Sequence, residues 1–302
     1  MSASSTKAIQ EAAEWIVDAD GLLITAGASM GIDSDLPDLG RSEGFWPAYA
    51  PLFAAGIRFE DIASAEMFRL DSKLAWGFHA SRLKLCRATE PHEGFRILKN
   101  WADEKRHGAF VLTSNVDGQF QKAGYAEERV CEVRGSIHHL QCLNACWDNV
   151  WRADRFDPEV DERYGELISD EPRCPRCGSI ARPNVLMFGD HDWIAARTEA
   201  QRLRLDAWSR DVRRPVVIEI GAGTTIPTVR RFTERLDANC IRINTEDPEV
   251  RGQLGLGVAG GGLSLLRRLA KVIDRGLRRS TSDIGSIRTA AMGGAPISAF
   301  DR

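Results

Sequence analysis

The feature that most constrains the fold is a set of short apolar runs, each of which breaks into small or polar residues. These runs cover residues 21–29, 109–117, 215–225 and 240–249. Continuous apolar runs of this length are typical of strands buried on both faces of a parallel sheet. Helical patterns, such as residues 92–105, lie between them. Strands that alternate with helices predict an α/β fold with a Rossmann-like, doubly wound parallel sheet.

The ends of these runs predict where a ligand would bind. Ligands of doubly wound sheets bind outside the carboxyl ends of the strands, and the small or polar cluster of every run lies there. Small residues such as Gly27 and Ala28 would let the backbone approach a pyrophosphate. A tight turn without a ligand explains the same residues equally well, so the pattern predicts a position rather than an activity.

Two stretches interrupt the alternation of strands and helices. Residues 40–85 are rich in Phe, Trp and Ala and have a helical pattern, whereas residues 135–190 contain few clean strands. We predict that both belong to a smaller module inserted into a large nucleotide-binding part. The large part would comprise residues 7–39, 86–134 and 191–275. Residues 276–302 are poor in large apolar side chains, which predicts a disordered tail.

Two close pairs of cysteines lie in the second of these stretches, Cys142 with Cys146 and Cys174 with Cys177. Two such knuckles supply four thiolates for a tetrahedral zinc ion. Four cysteines fill the coordination sphere and leave no position for a water, so the predicted zinc is structural rather than catalytic. Four unligated thiols are the alternative.

Charge and hydropathy exclude several classes of protein. A formal net charge of -3 argues against broad binding to nucleic acid or to an anionic membrane. The sequence contains no run of about 18 apolar residues and no signal-like start, which favours the cytoplasm. The remaining cysteines, Cys86, Cys131 and Cys240, are isolated and predicted to be buried or unremarkable thiols in a reducing compartment.

Six blocks, in order along the chain, resemble the signatures of the sirtuins, and the chain is similar to a divergent bacterial-type member. The blocks are TAGASMGIDSDLPDLGRSEGFW (25–46), TSNVDGQFQKAG (113–124), VCEVRGSIHHLQC (130–142), ARPNVLMFGD (181–190), IEIGAGTTIP (218–227) and IRINTE (241–246). Sirtuins are NAD-dependent protein deacylases that carry a four-cysteine zinc module. The resemblance therefore implies NAD and zinc as cofactors, and an acylated lysine of a protein or peptide as the substrate.

The resemblance also assigns roles to individual residues. It implies that Asn115, Asp117 and Arg134 occupy the catalytic positions, and that Val185 and the turn at 188–189 meet an extended peptide by β-augmentation. Asn115 and Asp117 would hold the nicotinamide and its ribose. The implied cofactor contacts are Gly27, Ala28, Ser29, Pro37, Asp38, Ser114, Asn115, Asp117, Gly221, Gly223 and Asn244.

One catalytic position departs from the family pattern. The histidine of the Glu-Leu-His-Gly block, which removes a proton from a ribose hydroxyl in the family's reaction, is Arg134 here. An arginine stays protonated and cannot act as a general base. His138 and His139 follow closely and could substitute for it, or they could be ordinary polar residues at the module boundary.

The cofactor loop departs from the family pattern as well. Ser29 stands for the third glycine of Gly-Ala-Gly, and Asp35 and Leu39 stand for the Gly and Phe of Ser-Gly-Ile-Pro-Asp-Phe-Arg. Gly40 stands for the arginine, with Arg41 one place later. Three functions therefore stay open: a deacylase with impaired proton transfer, an NAD hydrolase or ADP-ribosyltransferase, and a silent binding module. Neither nucleic acid nor a membrane is expected as a partner.

Overall fold

In the computed structural model, residues 3–37, 49, 52, 56–250 and 255–290 are described. The strands are β1 (Gly21–Ala26), β2 (Ala109–Thr113), β3 (Val130–Glu132), β4 (Gly135–Cys142), β5 (Trp151–Arg152), β6 (Val160–Asp161), β7 (Glu166–Leu167), β8 (Ala181–Val185), β9 (Pro215–Ile220), β10 (Asn239–Asn244) and β11 (Gly255–Ala259). The helices are α1 (Ala3–Asp18), α2 (Phe59–Ile62), α3 (Ala65–Leu70), α4 (Ser72–Ala88), α5 (Glu93–Asp103), α6 (Gln119–Lys122), α7 (Ala196–Asp211), α8 (Thr228–Thr233) and α9 (Gly262–Ala290).

The main sheet has six parallel strands in the order β11-β10-β9-β1-β2-β3. The four apolar runs form β1, β2, β9 and β10, so the predicted Rossmann-like parallel sheet is confirmed. Strands β3 and β11 extend it at the two edges. Strand β3 has only three residues, and β11 (GLGVA) contains two glycines, so neither has a clear apolar pattern in the sequence.

Both faces of the main sheet are covered by helices. Leu22 and Ile24 of β1 pack into one core with Ile16 of α1 and Leu266 of α9. Leu23 points to the opposite face, where it packs into a second core with the side chains of α7. Because successive residues of a strand point to opposite faces, a continuous apolar run is what a sheet covered on both sides requires.

The smaller unit combines a three-stranded antiparallel sheet, in the order β5-β4-β8, with the helical segment α2–α4. Trp76 of α4 is fully buried against this sheet and donates a hydrogen bond from Nε1 to the Ala181 carbonyl at 3.0 Å. Ile137 and Leu140 of β4 lie in the same apolar core. The two stretches that interrupt the sequence pattern therefore pack against each other.

The last described element is a long helix, α9, which runs from Gly262 to Ala290. The predicted tail thus begins inside α9, and residues 291–302 lie outside the described residues. The three isolated cysteines, Cys86, Cys131 and Cys240, are buried as predicted. Among the described residues, no helix has the length and apolarity needed to cross a membrane.

Candidate active site

Three loops are joined at the carboxyl edge of the main sheet, where β9, β1 and β2 are neighbours. The Gly27 amide, directly after β1, donates to the Ile220 carbonyl at the end of β9 at 2.9 Å. The side-chain amide of Asn115, after β2, donates to the Gly27 carbonyl at 3.0 Å. Thr113 Oγ1 donates to the Ala26 carbonyl at 3.1 Å. These bonds fix the positions of the loops that the sequence assigns to ligand binding.

A cavity of about 320 Å³ opens beside these loops. Predicted site residues line one part of it, namely Ala28, Pro37, Ser114, Asn115, Asp117 and Arg134. Its apolar part combines the smaller unit with the loops after β1, β2 and β9, and contains Leu36, Phe59, Ala63, Val116, Val185, Leu186, Met187, Phe188 and Ile226. The structure therefore brings Asn115, Asp117 and Arg134 into one cavity, whereas Ser29 is absent from its wall.

Asp117 is a half-buried carboxylate in the cavity wall. Burial raises its pKa to about 6, and the Gln119 amide, which donates to Oδ1 at 3.0 Å, opposes the shift. The neighbouring charge of Glu132 also raises this pKa, whereas that of Arg82 lowers it. Burial thus holds the pKa of Asp117 above that of an ordinary aspartate, a perturbation of the kind found at functional sites.

Arg134 stands at the junction of the two units, between β3 and β4. Its Nη2 lies 3.4 Å from the Ile226 carbonyl and 3.5 Å from Thr228 Oγ1, so the guanidinium reaches across to the loop after β9. Its own carbonyl accepts a hydrogen bond from the Leu186 amide at 2.9 Å. Burial lowers the pKa of Arg134, but a guanidinium remains charged at any physiological pH.

The two histidines that could replace the missing base lie elsewhere. His138 Nε2 is 2.8 Å from the Asp117 carbonyl, so this ring holds the backbone of the loop after β2. His139 faces Arg152 across the β4–β5 pair, and burial lowers the pKa of His139 to about 3. Neither ring lines the cavity, and the structure therefore brings neither to the place of Arg134.

Two polar residues of the cavity escaped the sequence reasoning, His79 and Arg82, one turn apart on α4. His79 is fully buried, and both of its ring nitrogens lack a hydrogen-bond partner within the described structure. Burial lowers the pKa of His79 well below its usual value. The sequence of α4 also contains Lys73, Lys84 and Arg87, so no local signal distinguishes these two side chains.

The glycines of the nucleotide loops permit a close backbone approach. A Cβ at Gly27 would lie 2.4 Å from the Gly221 carbonyl oxygen. Gly221 has φ of 63°, and a Cβ there would lie 2.7 Å from the Ser29 Cβ. The serine that replaces the family's third glycine is therefore accommodated because residue 221 has no side chain. Gly223 has no atom within 4 Å of its Cβ position, which leaves its backbone open to a ligand.

Asn244 organises the loops at the ends of β9 and β10. Its Nδ2 donates to the Ala222 carbonyl at 3.0 Å, while Oδ1 accepts from the Glu246 and Asp247 amides. Arg230 donates from Nε to the same Ala222 carbonyl at 2.9 Å. These bonds hold the backbone around Gly221 and Gly223, so Asn244 supports the predicted nucleotide site from behind.

The first loop is only partly described. Pro37 lines the cavity, and Asp35 adopts the left-handed backbone region with φ of 62°. Aspartate tolerates this region better than most residues, so it can replace the family's glycine at this position. Asp38, Leu39, Gly40 and Arg41 lie outside the described residues.

The four paired cysteines form one cluster, in which all sulfur atoms lie within 4.8 Å of one another. Sγ of Cys142 is 3.6 Å from Sγ of Cys177, and Sγ of Cys146 is 3.7 Å from that of Cys174. Tetrahedral zinc with bonds of about 2.3 Å to sulfur requires separations of about 3.8 Å. The geometry of this donor set therefore fits a structural zinc ion.

Solved structures with this fold include a Sir2 homologue in complex with ADP-ribose. It matches with a TM-score of 0.65 and 18% identity over 89% of this chain and 97% of that one. A Sir2 homologue bound to NAD matches with a TM-score of 0.62 and 19% identity, over 89% and 94% of the two chains. A Sir2 protein bound to a myristoylated histone peptide matches with a TM-score of 0.58, 19% identity and coverage of 91% and 99%. At these identities the likeness shows the fold.

Relatives similar in sequence include NAD-dependent protein deacylases of Thermococcus sibiricus and Pyrococcus furiosus. The first is 27% identical over 60% of this chain and 65% of its own length, and the second 31% identical over 54% and 59%. The chain thus spans less than two thirds of the length of these relatives. A Thermococcus kodakarensis protein of the same name is 28% identical over 81% of this chain and 90% of its own. The Sir2 family model matches residues 26–205, more than half of the chain, and the protein belongs to the Sir2 family.

Proposed function

We propose that the protein is an NAD-dependent protein-lysine deacylase, which transfers the acyl group to ADP-ribose and releases nicotinamide. The observation that carries this proposal is one cavity, at the carboxyl ends of β1 and β2, that contains Asn115, Asp117 and Arg134 together. These are the positions that the sirtuin resemblance assigns to catalysis. Relatives named as NAD-dependent protein deacylases support the same reaction.

The loops of the main sheet fit the dinucleotide. The backbone at Gly223 is open, and Gly27 packs directly on Gly221, so phosphates could approach the backbone at this edge. Asn115 is oriented by its bond to the Gly27 carbonyl, and Asp117 lies in the same wall. Bound NAD would supply nicotinamide as the leaving group and ADP-ribose as the acyl acceptor.

The cleavage of the nicotinamide–ribose bond requires orientation and electrostatic stabilisation rather than a base. Asn115 and Asp117 would provide both, since the backbone bonds of their loop hold them in place. The later proton transfer is different. Arg134 cannot accept a proton, and a positioned base contributes about 10²–10⁴ in rate. We therefore expect slow deacylation in the wild-type protein.

The acyl-lysine side chain would enter the apolar part of the cavity. Val185 ends β8, and Phe188 beyond it is 38% exposed at the cavity mouth. The Phe188 amide donates to the Ala63 carbonyl at 3.1 Å, which ties this edge to the helical segment α2–α4. An extended peptide next to this edge would place a lysine acyl group between the apolar residues. The zinc cluster stays outside this chemistry and would stabilise β4 and β8.

A second function, NAD hydrolysis or ADP-ribosyl transfer, is favoured by Arg134 itself. Both reactions cleave the same bond, and neither uses the histidine that this chain lacks. A silent module that retains only the fold is the third outcome, and it predicts no nicotinamide release at all.

Nicotinamide release with and without an acetyl-lysine peptide separates the three functions. We expect slow release that an acetylated peptide accelerates and its unmodified lysine twin does not. Asn115→Ala should abolish release, whereas Arg204→Gln, an exposed change on α7, should leave it intact. Nicotinamide release that does not depend on the peptide would support NAD hydrolysis or ADP-ribosyl transfer instead of deacylation. No nicotinamide release at all would support the binding module.

A further inference from the structure

Arg134 is a partly buried cation without a carboxylate partner in the described part of the chain. Its side chain contacts a carbonyl and a hydroxyl through one nitrogen, Nη2, at 3.4 and 3.5 Å. Burial lowers the pKa of Arg134, as expected for a cation that is partly removed from water. A desolvated charge without a partner is unfavourable, and an arginine fork matches a carboxylate with two parallel hydrogen bonds.

The charges around the cavity single out Arg134 as the group that faces a ligand. Two guanidinium groups, those of Arg82 and Arg134, line the cavity together with the carboxylate of Asp117. The charge of Arg82 acts on Asp117 and lowers the pKa of that carboxyl. Arg82 therefore has an anion of the protein nearby, whereas Arg134 forms no ion pair among the described residues.

We propose that Arg134 binds the carboxylate of a glutamate or aspartate on an acceptor protein, and that this carboxylate takes ADP-ribose from NAD. The inference rests on the proposed cleavage of NAD. A carboxylate oxygen forms a bond to C1′ of the ribose while the bond from C1′ to nicotinamide breaks, and nicotinamide leaves as a neutral molecule with the bonding electrons. The product is an ADP-ribosyl ester. One negative and one positive charge disappear together, and no proton moves.

Because Arg134 stands where the family has its base, and Asp117 is proposed to orient the nicotinamide end of NAD, we choose a nucleophile that needs no base. A hydroxyl or an ammonium group must lose a proton before or during attack. Arg134 cannot take that proton, and the fully buried His79, whose pKa lies well below its usual value, is a poor acceptor. A carboxylate is already ionised at neutral pH. The replacement of histidine by arginine thus removes a group that this nucleophile does not need and adds one that binds it.

Binding without NAD tests the role of Arg134 directly. The probes are a labelled peptide with a single glutamate and its twin with glutamine, measured by fluorescence anisotropy on the full chain. Loss of a hydrogen bond to a charged group weakens binding about tenfold to a hundredfold. Arg134→Gln should therefore lower the affinity for the glutamate peptide by that factor and leave the affinity for the glutamine peptide unchanged. The affinity of Arg134→Lys for the glutamate peptide should lie between those of wild type and Arg134→Gln, and that of Arg204→Gln should equal the wild-type affinity. Equal affinity for the two peptides in wild type would overturn the proposal.

Transfer is tested with NAD and the same two peptides, by mass spectrometry. We expect an ADP-ribosyl adduct on the glutamate peptide alone, released by neutral hydroxylamine and lost in Arg134→Gln. Selective binding without an adduct, while acetyl-lysine peptide is deacylated, would overturn the acceptor role. If no nicotinamide is released under any condition, the proposed function and the transfer both fail, while the binding comparison still decides whether Arg134 holds a carboxylate. Melting temperatures of all variants exclude misfolding as the cause of a loss.

Discussion

Asp117→Asn should make the folded protein more stable near neutral pH, although it removes a candidate catalytic group. An unfolded aspartate loses its proton near pH 3.9. In the folded chain, burial raises the pKa of Asp117 to about 6. Between these values the unfolded state binds fewer protons than the folded state, so stability falls as the pH rises from about 4 to about 6 and stays lower above that range.

The size of the effect follows from the difference between the two pKa values. A difference of about two units corresponds to roughly 3 kcal/mol of unfolding free energy at pH 7. Asp117 is half-buried and solvent screens its charge, so roughly 3 kcal/mol is the upper limit of an expected effect of about 1–3 kcal/mol. Asparagine has no charge to desolvate, and its Oδ1 can still accept the hydrogen bond that the Gln119 amide now donates to Asp117 at 3.0 Å.

Thermal or urea unfolding of wild type and Asp117→Asn at several pH values measures this difference. At about pH 7.5 the variant should be more stable by about 1–3 kcal/mol, or a few degrees in Tm for a domain of this order. At about pH 4 the two should coincide. Asp206→Asn, an exposed change on α7, controls for the loss of one surface charge and should show neither effect. Parallel stability curves for wild type and Asp117→Asn across the whole range would refute the reasoning.

Three further changes test the zinc cluster, the first knuckle and the missing base. Cys174→Ser should lower bound zinc below one ion per chain in metal analysis and destabilise the smaller unit, because metal binding is coupled to folding; an unchanged zinc content contradicts the site. Ala145 has φ of 45°, so Ala145→Gly should be neutral or stabilising, whereas Ala145→Val should cost about 1–2 kcal/mol in urea unfolding. Arg134→His should raise acetyl-lysine peptide deacylation at least about tenfold and change peptide-independent nicotinamide release less. Brisk wild-type deacylation that Arg134→His leaves unchanged would show that another residue is the base.

The sequence predicted those parts of the fold in which burial requires a recognisable pattern of apolar residues. The run that became β1 is buried at every position and needs side chains that are apolar on both faces. Strand β11 could not be predicted because its glycines carry no such pattern, and it is a strand only because β10 pairs with it. The cysteine spacing predicted the zinc cluster because four sulfurs must converge on one ion, and this requires closely spaced pairs of cysteines that are visible in the sequence.

The site was less accessible, because its residues meet only through tertiary packing. Asn115 and Asp117 follow an apolar run, and that position predicts a ligand-facing loop. His79 and Arg82 sit within a helix of the smaller unit, and nothing local to α4 indicates that its face closes the cavity. Ser29 stays a predicted cofactor contact, and the backbone of residue 221 on which it packs lies far along the chain.

The backbone around Arg134 is held by contacts that do not depend on its side chain. Gly135 has φ of 78°, and a Cβ there would lie 1.9 Å from the Asn184 carbonyl oxygen. The Leu186 amide donates to the Arg134 carbonyl, and the Val133 amide donates to the Thr113 carbonyl at the end of β2. Residue 134 is thus fixed at the cavity by its neighbours on both sides, whatever side chain it carries. A histidine there would face the same cavity as the arginine does, so exchange of this one side chain changes the chemistry available to the site while the fold that presents it stays the same.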